Sequence, residues 1–424
     1  MRTTHLLAAG VAASAILLSS TAFAQDPVKL VIESWRQDDL ATWQDKILPA
    51  FEATHPGIDV EFRPTINTEY STALATKIQA GTAGDLIMIE PFDFRLQMYL
   101  DGNLAKLNDL PGMENFSDTA KSAWRTDDGQ DVFGVPLAAV IHGFIYNADI
   151  FKELGLTVPK TEAEFLDVLK KIKDDGRYTA LDMGTADSFV PGLLGFQLIG
   201  PSYWHGEEGR QAVIDGSLKF TDPKFVRLWS DLKDWIPYLP DGYQGVKYGD
   251  MQNLFTLGTA AIYPAGSWEI PIFNGAVNGS FAMDAFVPPV PDAGDECYVN
   301  DHMDAGMGLN PKSAHPEEAR QFLTWLTSAE FAQIWGDSMP GFFPLSNHPV
   351  QTADPLAKTF LSWREACKST PRISYQIISR GEPNLDAEIS RVTALVVNGE
   401  LEPEAAAQEV QAGLESWYAP QQKK

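Results

Sequence analysis

The side chains best placed to do chemistry in this sequence are aromatic rings set in loops beside carboxylates. Among 11 Trp, 12 Tyr and 23 Phe, Trp35 closes an apolar run, Trp204 sits in Gly200-Pro201-Ser202-Tyr203-Trp204-His205-Gly206, and Trp268 follows Gly266-Ser267 directly. An indole offers a flat apolar face to the C–H face of a sugar ring, while neighbouring carboxylates and amides can take its hydroxyls. Trp43, Trp229 and Trp325 fall at helical spacing and read as core instead. Catalytic signatures are missing: there is no Gly-x-x-x-x-Gly-Lys-Ser/Thr loop, no His-Glu-x-x-His, and no Gly-x-Ser-x-Gly, since Gly266-Ser267-Trp268 lacks the closing glycine. The 7 His are scattered singly, and nothing pairs any two of the 57 Asp and Glu into a glycoside-cleaving couple. A triad assembled only by the fold stays open on these grounds. The two Cys lack the close second ligand that zinc spacing requires, and no motif calls for a cofactor.

Regular elements must position those loops. Val28 to Glu33 is a short apolar run that reads as a buried strand. Leu40, Trp43, Ile47, Leu48 and Phe51 then recur at helical spacing until His55-Pro56-Gly57. Ile58, Val60 and Phe62 alternate as a second strand, Leu74 to Ala80 predicts a helix broken at Gly81, and Leu86 to Ile89 a third strand ending at Glu90-Pro91. Strand, helix, strand, helix, strand predicts a parallel sheet covered by helices, with ligands beyond the carboxyl ends of the strands. That rule selects the loops Glu33 to Asp38 and Glu90 to Asp93. Thr161 and Glu164 form a capping-box pattern ahead of a helix that runs to about Gly176. The stretch from Phe189 to Trp204, with Pro191, Gly192, Gly195, Gly200 and Pro201, reads as too interrupted for regular helix throughout. Helices return around Phe225 to Trp235, Ala319 to Leu326 and Ala405 to Leu414.

Composition narrows the partners. The 424 residues carry 32 Lys and Arg against 57 Asp and Glu, a net charge of −25 that argues against binding nucleic acid or anionic lipid. At 44% hydrophobic and 21% charged the chain is ordinary globular material, long enough for two lobes. Met1 to Ala24 reads as a secretory signal peptide, with Arg2, an apolar run from Leu6 to Leu18, and Ala22-Phe23-Ala24 as cleavage site. No later stretch reaches the roughly 20 apolar residues of a membrane helix. In an oxidising compartment Cys297 and Cys367 are expected to pair, two buried thiols being the alternative.

The phrases LPAFEATHPGIDVEF, KIQAGTAGDLIMIE, DGNLAKL, VFGVPLAAVIHGFIYNADIFKELGL, NLFTLGTAAIYPAGSWEI, AGMGLNPKSAHPEEARQFLTWLTSAEFAQIW, GFFPLS and VVNGELEPEAAAQEVQAGL follow one another along the chain. In that order they resemble the extracellular solute-binding proteins of ABC importers, of the sugar-binding type (family 1) related to maltodextrin-binding proteins. The resemblance implies an α/β, two-lobed periplasmic binding protein (Venus-flytrap) fold, each lobe a mostly parallel sheet flanked by helices, joined by crossover strands. It places a signal peptide at 1–24, the first lobe at 25–138 and 304–344, and the second at 139–303 and 345–424. Crossovers are expected near Val135 to Gly143, Asp304 to Leu309 and Phe342 to Ser346. The ligand set it implies is Trp35, Glu90, Asp93, Tyr146, Asn147, Trp204, Gly266, Trp268, Asp304 and Phe343, with no catalytic residue and no metal. The partners it implies are a neutral mono- or oligosaccharide and a membrane permease, met by a periplasmic monomer. The segment Trp35-Arg36-Gln37-Asp38-Asp39 departs from maltodextrin binders. A polyol or glycerophosphodiester receptor and a secreted carbohydrate-active hydrolase are the alternatives.

Overall fold

Residues 27–422 are described by a computed structural model; the leader at 1–24 lies outside them. The alternating apolar and helix-period segments fold as parallel β–α–β units. Strand β1 (Val28–Ser34) pairs in parallel with β2 (Ile58–Pro64) on one side and with β3 (Leu86–Ile89) on the other. The helix Tyr70–Ala80 connects β2 to β3 and stops at Gly81, whose φ of 68° is the left-handed conformation glycine adopts freely.

The next strand, β4 (Val135–Asn147), is buried at all 13 positions and belongs to two regions of sheet at once. Its first half lies antiparallel to β8 (Tyr298–Leu309), from Val135 opposite Met307 to Ile141 opposite Asp301. Its second half lies antiparallel to β6 (Ala260–Gly266) and β7 (Met283–Phe286). Beyond β6, β5 (Thr179–Leu181) adds in parallel. The far end of β8 pairs with β3, Leu309 opposite Leu86, and its near end with β10 (Lys368–Thr370), while β9 (Phe343–Pro344) adds to β4. The sheet is parallel within the β–α–β units and antiparallel where β4 and β8 run out and back. That mixture follows from crossing between lobes, because a returning strand must reverse direction. The helices Pro316–Trp325 and Ala329–Ser338 pack with the β1 end, and Leu385–Val397 and Pro403–Glu415 with the far end. The result is two lobes on one pair of long strands.

The Phe189 to Trp204 stretch departs from its reading. It is helical throughout: Phe189–Pro191, a five-residue π-helical stretch Gly192–Phe196, then Gln197–Trp204. Pro201 has no N–H for the carbonyl of Gln197, and Asn300 Nδ2 on β8 donates to that oxygen at 3.1 Å instead. The Thr161 pattern does start a helix, Glu162–Asp175, with Thr161 Oγ1 accepting from the Glu164 N–H at 3.3 Å. The Glu164 carboxylate reaches one residue further back than in a standard box, to the N–H of Lys160 at 2.7 Å.

Cys297 and Cys367 form a disulfide with Cα atoms 4.8 Å apart. It ties the end of the helix Pro355–Ala366 to the start of β8, where β10 pairs. Closing 70 residues removes roughly 4 kcal/mol of unfolded-chain freedom on the loop-entropy account. Alkylation without reductant should therefore label no thiol, and reduction should lower the unfolding free energy by an amount of that order, read by urea titration.

Glu162 generates a second expectation. Burial lifts its carboxyl to about 8, against the hydrogen bond from Trp235 Nε1 at 2.7 Å that favours the charged form. Between an unfolded value of 4.5 and about 8 the folded state holds the extra proton, so this group's contribution to stability is whole below that window and lost as pH rises through it. Glu162→Gln should flatten the fall in melting temperature across that range relative to the unsubstituted chain. An identical slope in both would assign the dependence elsewhere.

Candidate functional site

A cavity of about 540 Å³ opens where the two lobes face each other, lined by Trp35, Asn67, Ser71 and Glu90 from the β1 lobe and by Asp187, Phe189, Tyr248 and Trp268 from the other. Trp35 follows β1 and leans on Tyr70, centroids 5.7 Å apart. Glu90 follows β3, and Arg95 one helical turn on holds it with two hydrogen bonds of 2.7 and 2.9 Å. Arg95 also donates to Ser71 Oγ at 3.1 Å and lies 5.6 Å from the centre of the Tyr70 ring. Cavity-lining residues on this lobe thus share one braced cluster.

Trp268 is braced by a longer chain. Its indole N–H donates to Tyr248 Oη at 2.8 Å, and Tyr248 donates to the carboxylate of Glu269. Gln252 Nε2 at 2.9 Å and Tyr263 Oη at 3.0 Å also donate to Glu269, which is fully buried. Burial pushes the Glu269 carboxyl above the usual range, opposed by those three donors. Gly266 does not line the cavity; a Cβ there would fall 1.8 Å from the Trp268 ring, so the glycine lets the indole fold back over its own turn. Ser267 Oγ accepts from the N–H of Ile141 on β4 at 3.0 Å and donates to the carbonyl of Gly341 at 2.5 Å, fixing the turn to the crossover. Behind it His142 on β4 meets the Trp268 ring edge-on at 5.1 Å and, through Nε2, His302 Nε2 on β8 at 3.1 Å. Burial pushes both imidazoles well below their usual range, with Arg372 adding to the effect.

The ligand set read from the sequence divides. Trp35, Glu90, Trp268 and Asp304 line the cavity together. Asp93 lies beside it, accepting from Arg380 Nε at 2.7 Å, and the same guanidinium holds Asp127 at 2.6 and 2.9 Å. Tyr146 and Asn147 stand away from it. Tyr146 packs 4.3 Å from the Phe151 centroid, and Asn147 Oδ1 caps the helix Ala148–Glu153 by accepting from two N–H groups at 3.1 Å. Trp204 is not a loop residue but the last of its helix, wholly buried between Phe196 and Phe225. Its placement corrects the Gly/Pro-loop reading: Asn300 keeps the helix intact past Pro201, and the ring turns into the core. Phe343 lines a separate cavity of about 140 Å³. Glu33, read from the sequence as opening the first loop, belongs to β1 and turns inward, accepting from the Gly84 N–H at 3.1 Å and Lys77 Nζ at 2.6 Å. Tyr248, Arg372, Tyr375 and Asp187 line the cavity without having been singled out. Tyr248 lies in a helix and the others in turns far along the chain, where no local spacing marks them.

Residues 34–333 match the sequence profile of the bacterial extracellular solute-binding protein family. The multiple sugar-binding protein of Streptococcus mutans is 26% identical over 349 residues, 78% of this chain and 80% of that protein. Among solved structures, the solute receptor AcbH, described by its substrate preference for β-D-galactopyranose, superposes with a TM-score of 0.80 at 17% identity, covering 92% of this chain and 99% of that one. RafE in complex with raffinose gives 0.76 at 21% identity, covering 93% and 100%. These likenesses give the same two-lobed binding-protein fold. With the matched segment spanning both lobes and both long strands, the chain belongs to the bacterial extracellular solute-binding protein family.

Proposed function

We propose that this chain is the capture component of an ABC-type sugar importer, taking a neutral mono- or oligosaccharide between its lobes and delivering it unchanged to a membrane permease. The observation that carries the reading is one cavity with Trp35 presented by one lobe and Trp268 by the other, beside Glu90 and Asp304. Two indoles can stack on sugar rings while the carboxylates accept hydroxyl protons. The sugar ligands of AcbH and RafE and the likeness to the streptococcal multiple sugar-binding protein support it. A glycerophosphodiester finds less: of the two arginines at the cavity wall, Arg36 already gives two bonds of 2.6 and 2.9 Å to Asp39, and Arg372 shares the cavity with Asp187, Asp304 and Asp386. Export by the leader at 1–24 to the periplasm, action as a monomer and absence of turnover complete the reading. So do lobes of 25–138 with 304–344 and of 139–303 with 345–424.

A thermal-shift panel of sugars tests it: a ligand at 100 times its dissociation constant should add about 2.7 kcal/mol of stability. Product released from the stabilising sugar on long incubation would make the protein an enzyme. Trp268→Ala should weaken that sugar by roughly 2 to 4 kcal/mol in calorimetric titration while the ligand-free melt moves less. Unchanged affinity would remove Trp268 from the site.

Arg380 joins the C-terminal segment to Asp93 and Asp127 of the first lobe, so it favours the closed arrangement. Ion pairs with one partner open to solvent contribute little each, so Arg380→Ala should cost about two- to fivefold in sugar affinity and enlarge the ligand-free radius of gyration in small-angle scattering. An unaltered distance distribution would show that this bridge does not hold the lobes.

A further inference from the structure

Six charged side chains line the cleft: Arg36, Glu90, Asp187, Asp304, Arg372 and Asp386. Four have partners within the chain. Arg36 is held by Asp39, Glu90 by Arg95, Asp187 accepts from the Tyr248 N–H at 2.9 Å, and Asp386 accepts from Ser374 Oγ at 2.5 Å. The side chains of Asp304 and Arg372 make no hydrogen bond or ion pair to any described residue, and Arg372 Nε is buried without an acceptor. They come from different elements, Asp304 from the crossover strand β8 and Arg372 from the turn after β10. The Arg372 guanidinium is nonetheless placed, 5.2 Å from the centre of the Tyr375 ring, whose hydroxyl lies 3.3 Å from His302 Nδ1. Burial raises the Asp304 carboxyl above its usual range, with Arg372 and Arg36 opposing the shift, so the two groups feel each other across the cavity.

We infer that Arg372 and Asp304 act together as the specificity-determining pair of the cleft, Arg372 donating to one hydroxyl of a sugar and Asp304 accepting from its neighbour. The inference rests on the sugar-binding reading and narrows it to neutral sugars with a free vicinal diol. A hydroxyl both donates and accepts, so two adjacent hydroxyls satisfy one acceptor and one donor without leaving either charge bare. A uronate or phosphate ester would find a single unpaired arginine among Asp187, Asp304 and Asp386, and the like charges disfavour it.

Calorimetric titration with galactose, raffinose and maltose as neutral probes, and galacturonate and glucuronate as acid probes, tests this. The unsubstituted protein should bind at least one neutral probe and neither acid, and a monodeoxy form of the bound sugar lacking either hydroxyl should bind more weakly. Arg372→Gln and Asp304→Asn should each weaken the neutral probe by about 10- to 100-fold with the ligand-free melt as control, and less than multiplicatively when combined. Arg372→Lys, which keeps the charge without the planar fork, should fall between. Asp304→Asn should also admit galacturonate at least about tenfold better, a change in selectivity that a merely structural role would not produce. Full neutral-sugar affinity in both single variants, or a preference of the unsubstituted protein for the uronates, overturns the inference while leaving sugar capture standing. An unsubstituted protein that binds neither these probes nor any sugar of the thermal-shift panel removes the sugar reading, and this inference falls with it.

Discussion

Two strands serving two lobes is the constraint on which the rest of this molecule depends. The ladder between β4 and β8 lies in the β1-side sheet at one end and in the β6-side sheet at the other. Its side chains therefore cannot be optimised for one core alone. Where the ladder passes beneath the cleft it carries the paired imidazoles of His142 and His302 and, two residues further on, Asp304. Gly143 is in the same stretch, and a Cβ there would come within 2.4 Å of the Trp363 ring, so the glycine leaves the room that an aromatic from a neighbouring helix fills. The groups that line the cleft are thus attached, at one or two removes, to the segment that any relative movement of the lobes must bend.

The polar chemistry of the cleft is organised by satisfaction. Glu269, Tyr248, Tyr263 and Gln252 form a buried network that the Trp268 indole joins through Tyr248 Oη, and Tyr248 itself stands at the cavity wall. A fully connected buried network is stiff, and a stiff support fixes the plane of an aromatic surface more closely than packing alone. On the opposite wall Arg95 does the same for Glu90. Conformational freedom that a ligand would otherwise have to remove is already absent from both walls, which favours recognition by shape.

Much of this was legible in the residues, and what was not has physical causes. The first three strands and their helices announced themselves because apolar periodicity and Gly or Pro stops agree there. The turn that presents Trp268 was visible as Gly-Ser-Trp, although the reason for the glycine was the indole itself. Trp204 misled because composition counts prolines without seeing that a distant Asn300 replaces the lost donor. Tyr146 and Asn147 misled because resemblance places a residue along the chain but not on a face of its strand, and these two point into packing and capping. Arg372 and Tyr375 were invisible for the opposite reason: they reach the cleft only after the chain has crossed between lobes, so no window of neighbouring residues contains their context.

The bond from Asn300 to the carbonyl of Gln197 makes the histories of two positions interdependent. While residue 201 is proline, Asn300 is the donor that keeps a buried carbonyl satisfied, and losing it leaves that oxygen bare. Once any residue with an N–H occupies 201, the helix can supply the bond itself, and position 300 is released to vary. The two substitutions are therefore permitted in one order and penalised in the other. A drifting sequence would be held at Asn300 for as long as it keeps Pro201, a form of epistasis written by a single missing hydrogen.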